Sequence, residues 1–179
     1  MPRTKETVHH KAFTDEELQI LWANKDDETV RMILVMCYSG FRISEYVEKT
    51  FEVHLEDPVP YFKGGMKTEA GKSRIVPIHS SILPLVREMN AKEKGVVFFS
   101  GKSTVQFRRD MKAVLEKLGL PVYTPHSTRH TFSRLCESYE VREADRKRML
   151  GHSLKSDITN GVYGHRSVEE LKREIEKIK

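Results

Sequence analysis

The sequence has no apolar run approaching the ~20 residues that would span a bilayer, and its first dozen residues are polar and basic, without the apolar centre of a secretion signal. A cytoplasmic protein with no membrane attachment is the expectation. Cysteine is scarce. Cys37 and Cys136 each sit alone inside an apolar helical pattern, with no partner at metal-ligand spacing, and read as small core residues in a reducing compartment. Internal repeats and low-complexity segments are also missing. What is present is a chain of 179 residues and 20.8 kDa, enough for one domain. Its 31 Lys+Arg against 26 Asp+Glu give a net charge of +5. That excess suits a polyanionic partner without demanding one.

Periodicity divides the chain into a short lead, residues 1–12, and one domain, residues 13–179. Thr14 with Glu17 three positions later makes a capping box, after which Leu18, Leu21 and Trp22 line one face of a first helix. A second helix is expected from about Asp27 to Tyr38, ending at Gly40. Three short alternating stretches follow, Phe51–Leu55, Tyr61–Lys63 and Arg74–Ile78, separated by Asp57-Pro58 and by a glycine-bounded turn. They read as a small antiparallel sheet. Helical spacing returns at Ser80–Met89, Ser103–Leu118, Thr128–Tyr139, Arg142–Leu150 and Ser167–Ile178. Val96–Phe99 is either a strand or a buried turn. The fold class expected is therefore α+β, mostly α, with one three-stranded antiparallel sheet.

Chemistry-bearing residues concentrate late in the chain. His126-Ser127-Thr128-Arg129-His130, then Leu150-Gly151-His152, then Tyr163 succeed one another, and a second arginine in apolar surroundings, Arg42, lies far upstream in Ser39-Gly40-Phe41-Arg42-Ile43-Ser44-Glu45. Displacement at a phosphodiester spreads negative charge over the nonbridging oxygens, which planar guanidinium groups answer with fixed paired donors. Arg42 and Arg129 are the candidates. Glu45, three residues after Arg42, would share its helix face and hold it, and Arg129 at i+3 from His126 would aim at the same point. A phenol with a pKa near ~10 must still lose a proton, and a departing oxygen must gain one. His126 and His130 are spaced i, i+4, as metal ligands often are, but the residues between them lack the glutamate of a zinc-protease motif, and no metal is expected.

Two arginines, the histidines, a lysine on a hairpin and a late tyrosine together resemble the tyrosine recombinases, the phage integrase family, and specifically their catalytic domain. The resemblance runs from about Phe13 to Tyr163. It implies an integrase-type catalytic core acting on double-stranded DNA as a homo-oligomer, a tetramer on the DNA, in the service of a mobile element. No cofactor, metal ion or ATP is implied. Tyr163, between Gly161 and Gly164, takes the place of the nucleophile, with Tyr123 and Tyr139 as weaker substitutes. The gap from His152 to Tyr163 is about two residues longer than in many members of the family. Lys67, with Lys72 as the next choice, takes the place of the hairpin lysine, and His126 that of a general base or acid. His152 resembles the position that bonds the phosphate, and His130 reads as structural. Lys63, Lys72, Arg74, Lys102, Arg108 and Arg109 are grouped as DNA-backbone contacts.

Other readings of the same residues remain. A module of this fold could bind DNA without cutting it, type IB topoisomerases are similar in residues and chemistry, and a metal-dependent nuclease would be abolished by chelation. The amphipathic segment 167–178 carries Val168, Leu171, Ile175 and Ile178 on one face, which must be covered either by its own domain or by a neighbouring protomer.

Overall fold

The computed structural model describes residues 11–65, 73–92, 101–152 and 165–179. Among these, helix α1 (Asp15–Ala23) opens on the expected capping box, with the Thr14 hydroxyl and the Glu17 carboxylate each satisfying the other's backbone N–H. Helix α2 (Glu28–Cys37), capped by Asp27, is the centre of the molecule. Every residue from Val30 to Tyr38 is buried. A helix apolar on all sides has to be enclosed, and α1, α3 (Leu83–Lys92), α4 (Thr104–Lys117) and α5 (Pro125–Ser138) pack around it.

The sheet has the order β1-β2-β3, both pairings antiparallel: β1 (Glu52–His54), β2 (Tyr61–Gly64) and β3 (Arg74–Pro77). Alternation puts Phe62, Gly64, Arg74 and Val76 on the buried face, with Tyr61, Lys63 and Ile75 on the half-exposed one. Phe62 stands opposite Val76 and Gly64 opposite Arg74. Phe41, Phe51 and Phe62 pack edge-on or tilted at 5.0–6.2 Å between ring centroids, tying the sheet to the turn after α2. Helices α6 (Glu143–Leu150) and α7 (Val168–Ile175) both lie against β3.

In the single chain the apolar face of the C-terminal segment packs on its own domain. Leu171, Ile175 and Ile178 are buried. The Lys172 ammonium donates to the Ile78 carbonyl at 2.6 Å, and the Glu176 carboxylate accepts from the Ser80 backbone and hydroxyl at 2.8 and 2.9 Å.

Boundaries differ from the sequence reading in places that have local causes. Helix α5 starts at Pro125, earlier than Thr128, because proline fits the first helical position, where its missing N–H has no intrahelical partner to lose. Helix α3 starts at Leu83, later than Ser80, after a turn in which Ser81 N–H donates to His79. The helix expected after Arg42 is a single 3-10 turn, Glu45–Val47, ended by the extended backbone at Glu48. The apolar run Val96–Phe99 lies outside the described residues. No described helix is long and apolar enough to cross a membrane.

Candidate active site

Three elements bring arginines to one place. The turn after α2 carries Arg42. Its reversal depends on Gly40, whose φ of +72° favours glycine and whose added Cβ would lie 2.5 Å from the Phe132 ring. The turn is buttressed by the Ser39 hydroxyl, which donates to the Val35 carbonyl at 2.6 Å and meets the Tyr46 hydroxyl at 2.6 Å. Arg42 itself is exposed, with 47% of its side chain accessible.

Arg129 rises from the second turn of α5 and is buried. Its Nη1 donates to the Gly40 carbonyl at 2.7 Å and its Nη2 to the Leu150 carbonyl at 2.5 Å. One guanidinium therefore joins the Arg42 turn to the C-terminal end of α6. The Leu150 carbonyl belongs to the last turn of α6, where carbonyls lack helical partners and the dipole attracts a cation. Two of five guanidinium N–H donors are engaged in these bonds, which leaves others to meet an anion.

His152 follows directly. Gly151 ends α6 in the left-handed conformation, and His152 N–H closes on the Lys147 carbonyl at 2.9 Å, which fixes the backbone that presents the imidazole. Burial, and then the charges of Arg129, Arg42, Arg146 and Arg74, hold the His152 pKa below its ordinary value, so the ring is neutral near pH 7. Burial and the same neighbours, Arg42 and Arg74, bring Arg129 down to about 10, low for an arginine yet still charged at neutral pH.

Among the described residues, the carboxylate that perturbs this cluster is Glu45, whose side chain is fully buried. Burial alone would raise its pKa, but two hydrogen bonds from Arg74, that residue's charge, and the Arg42 N–H at 2.6 Å outweigh burial and hold it below the ordinary carboxylate range. Among the described residues, three guanidinium groups thus face one carboxylate, a local surplus of positive charge that suits an anion.

Two assignments from sequence change here. Glu45, expected to orient the Arg42 side chain, gives that guanidinium only a 3.8 Å approach and spends both oxygens on Arg74, at 2.8 and 2.7 Å. Arg74, grouped with the solvated DNA contacts, is interior: 4% of its side chain is accessible, its Nε donates to the Met149 carbonyl at 3.0 Å, and its guanidinium carbon lies 4.3 Å from the centroid of the Phe41 ring. Strand parity held the signal. Arg74 shares the face of Val76, two residues on, and that face is the core face.

The remaining candidates are distributed as follows. His126 lies exposed in the first turn of α5, one turn before Arg129, with its ring 4.7 Å edge-on to that of His130. Lys63 stands opposite Glu52 on the sheet, 3.5 Å from its carboxylate, and Lys102 pairs with Asp110 at 2.6 Å. Arg108 and Arg109 are exposed on α4. Lys67, Lys72 and Tyr163 lie outside the described residues. Of the substitute tyrosines, Tyr123 donates its hydroxyl to Glu17 at 2.9 Å, and burial with that contact pushes its phenol up to about 12. Tyr139 caps the end of α5. Both cysteines are buried, their thiol pKa values raised chiefly by that burial, Cys136 to about 12. Among the described residues, no group of three or more His, Cys, Asp or Glu side chains could hold a metal ion.

Sequence reasoning passed over Asp145. This fully buried carboxylate on α6 accepts from Arg166 at 3.0 and 2.8 Å and from Arg148 at 2.9 Å. It joins the lead into α7 to the helix that ends at His152. Its segment, Glu143–Leu150, is charged nearly throughout and carries no periodic signal to mark one carboxylate as interior.

Comparison with known proteins adds an independent line. The profile of the phage integrase family matches residues 11–170. Among solved structures, the integrase from mycobacterium phage Brujita superimposes with a TM-score of 0.71 at 16% identity, over 99% of this chain and 61% of that one. The Tn1549 transposon integrase in complex with circular intermediate DNA gives 0.61 at 18% identity, over 97% and 69%. XerH site-specific recombinase bound to difH substrate, in a pre-cleavage complex, gives 0.59 at 19% identity, over 89% and 51%. The chain thus spans between half and about two thirds of the length of these proteins. A search of curated proteins found no match.

Proposed function

Because the chain belongs to the phage integrase family, we propose that it is the catalytic domain of a site-specific DNA recombinase that cuts and rejoins strands through a 3′-phosphotyrosyl link. The observation that carries this reading is the convergence of Arg42, Arg129 and His152, from three separate elements, in a cluster with one carboxylate among the described residues' charges. In the proposed reaction the Tyr163 phenol attacks a backbone phosphorus. Arg42 and Arg129 stabilise the charge that develops on the nonbridging oxygens, and the neutral His152 imidazole donates a further hydrogen bond. His126 and Lys67 move the protons, one taking the phenol's and the other supplying the departing 5′ oxygen. The phosphotyrosine keeps the bond energy, so neither ATP nor metal is required. Residues 152 and 166, which flank the segment carrying Tyr163, are both held on α6, the first by a backbone hydrogen bond and the second through Asp145.

Double-stranded DNA is the proposed substrate, bound in the cytoplasm by a tetramer that moves a mobile element. Two of the similar structures, the Tn1549 integrase and XerH, contain DNA. A nicked duplex that traps the covalent intermediate, incubated with the protein in EDTA, tests the reading. A protein–DNA adduct that disappears in Tyr163→Phe is expected. DNA binding without any adduct would make the domain a non-catalytic module, and activity lost to EDTA would make it a metal-dependent nuclease.

A further inference from the structure

Arg74 has no part in the chemistry described above, yet it holds two of the elements that do. Its guanidinium grips both oxygens of Glu45 on the Arg42 turn, its Nε holds the Met149 carbonyl at the end of α6, and its own strand, β3, pairs with β2. The fit is close enough that a Cβ on Gly151 would fall 2.9 Å from its Nη1. A buried ion pair made only for stability is a poor device, since desolvation of both charges offsets most of the attraction. Here the pair has a further effect. Glu45 already accepts the Arg42 backbone N–H at 2.6 Å, and the Arg42 guanidinium waits 3.8 Å from the other carboxylate oxygen with half its surface open.

We propose that Arg74 is a positioning residue for strand cleavage, one that engages the Glu45 carboxylate so that the Arg42 guanidinium stays available to the phosphate, while its bond to Met149 sets the end of α6 that presents His152. This rests on the recombinase reading above. Remove the Arg74 fork, and the buried carboxylate turns to the nearest guanidinium, Arg42, which is drawn off the substrate.

The test is single-turnover cleavage of the nicked duplex by the full chain at saturating protein, with DNA affinity and thermal midpoint measured alongside. Arg74→Met is expected to slow cleavage on the order of 10²-fold, the scale of losing one preorganised donor, with DNA affinity near wild type. Two further outcomes belong to positioning alone. The loss shrinks sharply when Arg42 is already alanine, because one function cannot be lost twice. It is largely restored by adding Glu45→Gln, which removes the charge that captures Arg42. Should Arg74→Met fail to fold, Arg74→Lys keeps the charge without the fork and is expected to show the same two dependences in weaker form. Equal loss in both Arg42 backgrounds, or no recovery with Glu45→Gln, overturns the proposal and leaves Arg74 a stabilising residue. Absence of any adduct with the wild-type protein strikes the recombinase reading instead, so the two failures are told apart.

Discussion

Gly151 meets two demands at once. Its φ of +70° would strain any residue with a side chain, and the space where a Cβ would stand is filled by the Arg74 guanidinium. The conformational part of Gly151→Ala costs about 1–2 kcal/mol. The steric part acts on Arg74, and through it on Glu45 and Met149. We therefore expect Gly151→Ala to lower the urea midpoint by that modest amount, yet to depress single-turnover cleavage far more than Gly119→Ala. Gly119 has a similar φ of +69° but nothing within 4 Å of its Cβ position. Equal effects on cleavage in the two variants would mean that the Gly151 contact with Arg74 is inert. Arg129 shows the same economy at residue scale: one side chain caps two carbonyls, at Gly40 and Leu150, and still has donors to spare.

At the scale of the element, α7 is fastened by apolar burial and by a histidine latch. Leu171, Ile175 and Ile178 supply the first, and Ile175→Ala should cost about 2–5 kcal/mol in denaturant unfolding, as truncation of a fully buried isoleucine does. His79 supplies the second. Its Nδ1 accepts the Ser81 N–H at 3.1 Å, so Nε2 carries the proton and donates to the Ile178 carbonyl at 2.9 Å. Tyr38 packs against its ring, Glu176 lies 3.9 Å away, and Lys172 is the nearby cation. Burial lowers its pKa, with Lys172 adding to the effect and Glu176 and the Ile178 carbonyl opposing it. A base with a depressed folded-state pKa stabilises the fold in its neutral form. That contribution is complete above the unfolded value near ~6.5 and is lost as pH falls from there to the folded value. The urea midpoint of the wild type should accordingly drop as pH falls below about 6.5, and drop less in His79→Gln. Glu174 and Glu176, whose pKa values are lowered, lose their contributions only in the more acidic carboxylate range and do not confuse the window.

Across the whole molecule, the +5 charge is divided between cations that reach solvent and cations consumed inside. Arg108 and Arg109 belong to the first group, Arg74 to the second. If the domain grips DNA through its exposed cations, log affinity should fall linearly with log salt, by a slope of ~0.9 for each phosphate contacted. Replacing a contacting arginine such as Arg108 or Arg109 by alanine should reduce that slope by about one such unit, whereas Arg74→Met combined with Glu45→Gln, in which nothing captures Arg42, should leave it unchanged. A slope that moves with that double variant and not with the surface arginines would reverse this division.

The sequence by itself determined what depends on near neighbours. The capping box of Thr14 and Glu17, the glycine stops at Gly40 and Gly151, the alternation of three short strands and the amphipathic face of the last helix all follow from interactions within a few residues, and all were legible in order along the chain. Arg42, Arg129 and His152 could likewise be picked out along the chain as candidates. Only the tertiary structure decided how those groups are paired. Arg74 meets Glu45 across 29 residues and Met149 across 75, and Arg129 meets Gly40 across 89. Charge pairing at that range is set by which backbones the core brings together, because a buried carboxylate takes the guanidinium with the best two-pronged approach and not the one nearest in sequence. Glu45 lies three residues from Arg42 and yet binds Arg74 with both oxygens, and no reading of local spacing contains that choice.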